Sequence, residues 1–357
     1  MTDSTLADLP VHAATAAPAA TAPPKRVRRD WTPANYDLRD TWFPVAFSRH
    51  LSARPLRRIV HAQSYYLWRE GDGKARASEM SPELLGGSKH LATEFTGGTG
   101  YYPVVERYGY AWAWYGNPDQ ADPRLIPHVP FLPEDGVDIP KYMQRTIRYD
   151  ACSPLAVENL IDLTHADFLH TSTIGEGDCE SDEVEVEWTS ETVTRTRIVT
   201  KRAVAPIMRW VGGIRAQFQD LRSTLHIHLR SNVAISFPRF KPGYDIPHIQ
   251  GFVPVGRHRA RVDVTQYTQA APRPFRFVMP RMAYTIAPED NLAVREQMER
   301  YEDDGLRLDL HSRFDKPSVR YRFQLEQLAE RQRNGDLSYR PDAEPGRDIR
   351  SLLGMDR

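Results

Sequence analysis

Four stretches in the second half of the chain, 184–200, 223–237, 249–255 and 259–268, alternate apolar and polar residues with a period of two. That period sends successive side chains to opposite faces of a strand. It is clearest in Leu225-His226-Ile227-His228-Leu229, and it predicts an antiparallel sheet with one buried and one wet face. Helical patterns flank these runs. One covers 155–169, a second (289–304) opens after Pro288, and 318–333 forms an amphipathic third. Strand runs grouped between helices specify an α+β unit, an antiparallel sheet with its helices gathered on one side.

The first part of the chain reads differently. Short β-rich runs at 42–46, 64–69 and 110–115 are separated by Gly71-Asp72-Gly73, Gly86-Gly87 and Gly116-Asn117-Pro118, which are turn formers. This is a small all-β unit. Pro123, Pro127, Pro130, Pro133 and Pro140 mark a bridge after it. The expected organisation is a disordered tail at 1–30, whose Ala/Thr/Pro composition cannot bury enough apolar surface to order itself, a β unit at 31–140, and a catalytic unit at 141–357.

Composition excludes several functions. Lys+Arg and Asp+Glu both number 47, so the chain lacks the basic excess of a nucleic-acid binder. No apolar run reaches the ~18–20 residues that span a bilayer. The Ala-rich start lacks a secretory pattern, so the cytoplasm is the expected compartment. Only two cysteines occur, Cys152 and Cys179; a disulfide framework or a four-cysteine metal site is excluded.

Chemistry concentrates in Glu158-Asn159-x-x-Asp162-x-x-His165-x4-His170. On a continuous helix Asn159, Asp162 and His165 share one face, with Leu155, Leu160 and Ile161 around them. Polar groups set among apolar ones must be paired or bound to something. Asp162, one turn before His165, is placed to accept its second ring N–H and fix the tautomer. His165 and His170 reach one ion only if the helix ends between them, an ending that Thr171-Ser172-Thr173-Ile174-Gly175 supplies. Two imidazoles with one carboxylate suit non-haem Fe(II), leaving positions open for O2 and substrate. His226 and His228 share a strand face, but no carboxylate is placed with them; a cross-strand polar pair is the expected reading.

The 158–170 motif resembles the iron motif of Rieske non-haem iron oxygenases of the vanillate, dicamba and phthalate type. Trp42-Phe43-Pro44-Val45-Ala46 is similar to that family's opening strand. Tyr102-Pro103-Val104-Val105-Glu106-Arg107-Tyr108-Gly109 with Trp112-Ala113-Trp114 is similar to the end of its N-terminal module. The resemblance implies a Rieske-like first domain, a helix-grip-like catalytic domain over a buried pocket, and a third metal ligand at Asp290, within Glu289-Asp290-x5-Glu296-Gln297, with Glu289 as the alternative. Independently, a carboxylate in the first turn after Pro288 would sit at the favourable end of the helix dipole. The family's cluster needs two Cys and two His. Between Arg69 and Tyr102 this chain has a single His90 and no cysteine, so no [2Fe–2S] cluster is expected in it.

The resemblance thus implies a mononuclear iron oxygenase component for a small aromatic or heteroaromatic substrate. Fe(II) would be held by His165, His170 and Asp290, with Asn159 supporting the ligands. Electrons would come from a Rieske-bearing sister subunit or a reductase, in a trimeric or hetero-oligomeric ring. Asp162 either carries the family's electron route from a neighbouring subunit or simply tethers His165. Two rivals stay open: an inert structural subunit of a hetero-oligomer, and an iron enzyme that uses a reducing co-substrate.

Overall fold

A computed structural model of the chain describes residues 33–85, 93–134, 142–162, 164–170, 183–267, 271–302 and 312–356. The expected tail, Gly86-Gly87, His90, Pro140, Thr171–Gly175 and Cys179 lie outside them. Strands β1 (Thr41–Phe47), β2 (Leu56–Val60), β3 (Gln63–Arg69), β4 (Ala75–Ser78), β5 (Tyr101–Tyr102), β6 (Val104–Arg107) and β7 (Tyr110–Tyr115) form two antiparallel sheets, ordered β1-β7-β6 and β2-β3-β4-β5. The single turn α1 (Pro82–Leu85) follows β4. The Gly71–Gly73 turn forms as the sequence predicts: Gly73 N–H donates to the Glu70 carbonyl at 2.9 Å, and Asp72 Oδ1 accepts from Lys74 N–H at 2.9 Å.

The rest of the strands make one sheet. These are β8 (Tyr142–Tyr149), β9 (Glu183–Trp188), β10 (Thr192–Ala203), β11 (Phe218–His228), β12 (Val233–Lys241), β13 (His248–Gly256) and β14 (Arg259–Tyr267), ordered β8-β14-β13-β12-β11-β10-β9 and antiparallel throughout. Helices α2 (Ser153–Ile161), α3 (Thr164–Leu169), α4 (Pro206–Trp210), α5 (Phe275–Glu302) and α6 (Lys316–Arg333) complete it. Leu155, Val157 and Ile161 of α2, Val294 and Met298 of α5, and Leu325 and Leu328 of α6 pack on Leu225, Ile227, Phe252 and Val262 of the sheet. The α+β architecture with helices on one sheet face is as the pattern predicts.

Three details differ from the sequence reading. The runs at 184–200 and 223–237 are each a hairpin, β9–β10 and β11–β12, rather than one long strand. The second sheet face is not wet. Val233, Ile235 and Ile249 on it are buried against Trp42, Trp112 and Trp114 of the first unit, and His226 and His228 are 4% and 5% exposed. Finally, Pro288 does not open a helix: it lies inside the 28-residue α5. Asp290 is therefore mid-helix, and the dipole argument for it fails.

The two units meet at a glycine. Gly251 in β13 faces Pro44 of β1, and a Cβ added there would lie 2.3 Å from Pro44 Cγ. This approach is tighter than any side chain allows, so Gly251→Ala must push the two sheets apart. We expect it to lower the unfolding free energy by about 1–3 kcal/mol, read as a lower urea midpoint at unchanged slope. An unchanged midpoint would show that the junction yields freely.

Candidate metal centre

Cys152, which precedes α2, makes no side-chain cap. The cap comes from far away in sequence: Asn35 Oδ1 accepts from Ser153 N–H at 2.8 Å, while Asn35 Nδ2 donates to the Gly256 carbonyl at 2.6 Å. Pro154 then suits the first turn. At the helix's other end Glu158 makes a two-bond ion pair with Arg322 of α6, at 2.5 and 2.7 Å. These two anchors fix the direction of α2 and hence the place of Asn159.

The helix breaks at Asp162, whose backbone (φ −77, ψ 86) leaves the helical region. Asn159 and His165 therefore belong to different helices, contrary to the single helical face expected. The Asp162 carboxylate does not tether His165 either. Its Oδ1 accepts from Thr164 N–H at 2.9 Å and from the Thr164 hydroxyl, setting up the first turn of α3. The tether is instead the Asp162 backbone carbonyl, which faces His165 Nδ1. Helix α3 ends at Leu169, so an ending does fall between the two histidines.

His165 and His170 stand edge to face with ring centres 5.4 Å apart. Their Nε2 atoms lie 3.4 and 2.9 Å from one oxygen of Asp290, Oδ1. One potential ligand atom from each of the three residues falls within 4.8 Å of the others, and among the described residues no other such group occurs. Glu289, the alternative ligand, is a tether: His170 Nδ1–H donates to its Oε2 at 2.7 Å. With both Nδ1 atoms committed outward, the Nε2 lone pairs are the ones offered to an ion.

Electrostatics agree with this picture. Burial alone would raise the Asp290 pKa, but hydrogen bonds from His165, His170 and Asn159 outweigh it and hold the carboxyl well below its usual range. Burial likewise opposes protonation of His170, and hydrogen bonds to Asp290 and Glu289 reverse that, leaving its pKa above the ordinary value. Asn159 thus stands beside the Asp290 carboxylate. A group of two imidazoles and one carboxylate fits ferrous iron.

The three residues stand in the wall of a cavity of about 310 Å³, enclosed chiefly by apolar side chains such as Ile147, Leu225, Phe252 and Val264. That is the size of a small-molecule site. Phe252 lines it, whereas Trp210 and Phe218 are 82% and 49% exposed and Phe237 packs with the tryptophans of the first unit. A larger cavity, about 430 Å³, lies on the opposite sheet face beside His226 and His228. There His226 Nδ1 meets Thr194 Oγ1 at 2.7 Å, the expected cross-strand polar pair. Burial pushes His226 down to about 4, so it is neutral.

Sequence reasoning missed the Glu158–Arg322 pair, the Asn35 cap and Tyr149, which lines the cavity beside Asp290. Only Tyr149 had a signal: it lies two positions from Ile147 in an alternating strand.

Residues 149–331 match the family model of the vanillate O-demethylase oxygenase C-terminal domain. A vanillate O-demethylase oxygenase subunit of Pseudomonas sp. (strain HR199 / DSM 7063) is 30% identical over 158 residues, which are 41% of this chain and 42% of that protein. The oxygenase component of dicamba O-demethylase from Stenotrophomonas maltophilia is 30% identical over 169 residues, 37% of this chain and 48% of that one. The chain thus matches somewhat less than half the length of these curated relatives. In overall fold it is similar to dicamba monooxygenase bound to 3,6 dichlorosalicylic acid, with a TM-score of 0.67 at 19% identity, covering 83% of this chain and 98% of the other. The terminal oxygenase of carbazole 1,9a-dioxygenase from Nocardioides aromaticivorans IC177 has a TM-score of 0.54 at 14% identity, covering 84% and 96%. The same residues that supply the broken helix pair, the sheet and Asp290 therefore carry the match, and the chain belongs to the vanillate O-demethylase oxygenase family of Rieske-type non-haem iron oxygenase components.

Proposed function

We propose that this chain is a mononuclear non-haem Fe(II) oxygenase component that inserts oxygen from O2 into a small aromatic or heteroaromatic substrate, by hydroxylation or by O- or N-dealkylation. The observation that carries this reading is the convergence of His165, His170 and Asp290 on one point in the wall of a mainly apolar cavity. The names of its relatives, which include a vanillate O-demethylase and a putative toluene-4-sulfonate monooxygenase subunit, support an aromatic substrate. His165, His170 and Asp290 would hold the iron, which when bound would supply the chemistry of dioxygen activation. His165 and His170 are oriented for it by the Asp162 carbonyl and by Glu289. Asp290 stays ionised and brings the one negative charge of the set. The apolar wall excludes water and holds a ring by dispersion and burial. A volume of about 310 Å³ suits one ring or a fused pair.

The family's [2Fe–2S] group does not fit the residues present. No cysteine precedes Cys152, which is fully buried at the start of α2, so the β unit at 31–140 has no thiolate to offer. We therefore assign the electron supply to a Rieske centre on another chain, a sister subunit or a reductase, within a trimeric or hetero-oligomeric ring in the cytoplasm. Among the described residues no helix is long and apolar enough to cross a membrane. Unit 141–357 carries the chemistry in this reading, and Asp162, whose carbonyl faces His165 Nδ1, is the residue through which an electron route would enter. An inert structural subunit would have no need of a complete ligand set with both tethers.

Protein purified without oxygen and loaded with Fe(II) should hold about one iron per chain and no acid-labile sulfide. Asp290→Ala should lose the iron while keeping its assembly state on size exclusion. No iron in the native chain would sink the enzyme reading.

Metal affinity should also depend on pH in a definite direction. An ion must displace the His170 proton, which Asp290 and Glu289 hold more tightly than usual. Apparent affinity should fall about ten-fold per pH unit below the raised His170 value, with the decline setting in above the ordinary 6.5. Asp290, already ionised, adds nothing in this range. Chelator competition with Zn(II) across neutral pH would read this, and a profile flat down to 6.5 would contradict it.

A further inference from the structure

The cavity has two unlike sides. Asn159, His165 and Asp290 enter it from α2, α3 and α5, and His170 from just beyond α3, while the large sheet forms the other side. Across the sheet side runs a polar row. Gln266 of β14 pairs with His248 of β13, and His248 pairs with Ser236 of β12; all three line the cavity. The row turns apolar at both ends, at Met143 of β8 and Leu225 of β11.

The ring at the middle of the row is fixed. His248 Nδ1–H donates to the Ile246 carbonyl at 3.3 Å, and because a carbonyl only accepts, this bond sets the tautomer. Burial pushes the ring down to about 4, so it is neutral near pH 7. Its Nε2 therefore carries a lone pair, and among the described residues that atom has no partner. In the neighbouring strand Gln266 Oε1 is likewise buried without a hydrogen-bond partner. Acceptors left unpaired in a buried wall cost stability unless a donor reaches them. The fold supplies none, so the donor belongs to a ligand.

We propose that the substrate carries a hydrogen-bond donor on its ring system, a phenolic hydroxyl or a ring N–H, and that His248 Nε2 accepts from it. His248 is then a specificity-determining residue of the cavity. This rests on the function proposed above and narrows its substrate class. The apolar walls take any ring of suitable size, and the row decides which way round it lies.

Calorimetric titration of the full chain with two ligand pairs tests this: indole against benzofuran, and guaiacol against veratrole. Within each pair the second member keeps the shape and lacks the donor. We expect the donor to bind about ten-fold more tightly. In His248→Phe, which keeps a flat ring without the lone pair, the preference should shrink to within about two-fold. His248→Gln, whose amide oxygen still accepts, should keep part of it, which a merely structural histidine would not require. In the native chain with isotope-labelled histidine, the His248 Nε2 resonance should move on adding indole and stay on adding benzofuran, a readout that needs no variant to fold. Equal affinities within each pair, no binding of any of the four, an unmoved resonance or a full preference in His248→Phe each overturn the inference. Zn(II) uptake is measured on the same samples. A chain that takes up no metal yet prefers the donors refutes the metal-centre reading and leaves the ligand preference standing; a chain that takes up metal without the preference refutes only this inference.

Discussion

A single buried carboxylate sets the terms for the half of the molecule that holds the large sheet. Asp290 is 8% exposed and yet ionised, and the cost of desolvating an unpaired charge is several kcal/mol. The chain meets that cost with donors drawn from three elements: Asn159 on α2, His165 on α3 and His170 just beyond it. For these to converge, α2 and α3 cannot be one helix. The break at Asp162 turns His165 inward, while the Glu158–Arg322 pair and the Asn35 cap hold α2 against the sheet so that the turn lands where α5 passes. The clasp of Asp150 with Asn291 does the same for α5 against β8. Each is a polar contact between segments more than a hundred residues apart, and none has a local substitute.

That distribution explains what could be read in advance. Periodicity is local, so the β-rich runs, the sheet and the amphipathic helix α6 were legible. The residues that converge on one point were legible because a polar constellation inside an apolar stretch is itself a local anomaly. The two hairpins were hidden because their turns lack glycine and proline. In the first, Thr189 Oγ1 accepts from the Glu191 and Thr192 N–H groups at 3.2 and 3.0 Å, so a side chain does the work that a turn former usually does. In the second, Asn232 takes a left-handed φ of 50°, which asparagine tolerates better than most residues.

The roles inside the site were harder to read than its membership. His165 has its tether in Asp162, as expected, but the acceptor is the main-chain carbonyl, and a sequence does not distinguish the two oxygens of a residue that both lie within reach. Glu289 and Asp290 are adjacent carboxylates, and either is a plausible ligand by type. Only the path of α5 decides that one faces both imidazoles and the other the back of His170. Proline misled for a physical reason too. Inside a helix it removes one hydrogen bond at about 3 kcal/mol, which argues for a helix start. In α5, Pro288 lies on the exposed side, and the packing of Val294 and Met298 into the core keeps the helix continuous.

The N-terminal β unit has no thiolate to hold a cluster, yet it is structurally inseparable from the cavity. Strands β12 and β13 present Ser236, Gln250 and Phe252 to the cavity on one face. On the other face they present Val233, Ile235 and Ile249 to Trp42, Trp112 and Trp114. Burying a large apolar side chain contributes about 1.5–3 kcal/mol, so baring that reverse face would cost far more than a domain's usual margin. Ile349 and Leu353, close to the end of the chain, pack into the same cluster, and Gly251 admits Pro44 where any side chain would block it. The unit therefore acts as the back wall of the seven-stranded sheet. Its persistence needs no redox role, because without it the strands that shape the cavity would have no second face to pack against.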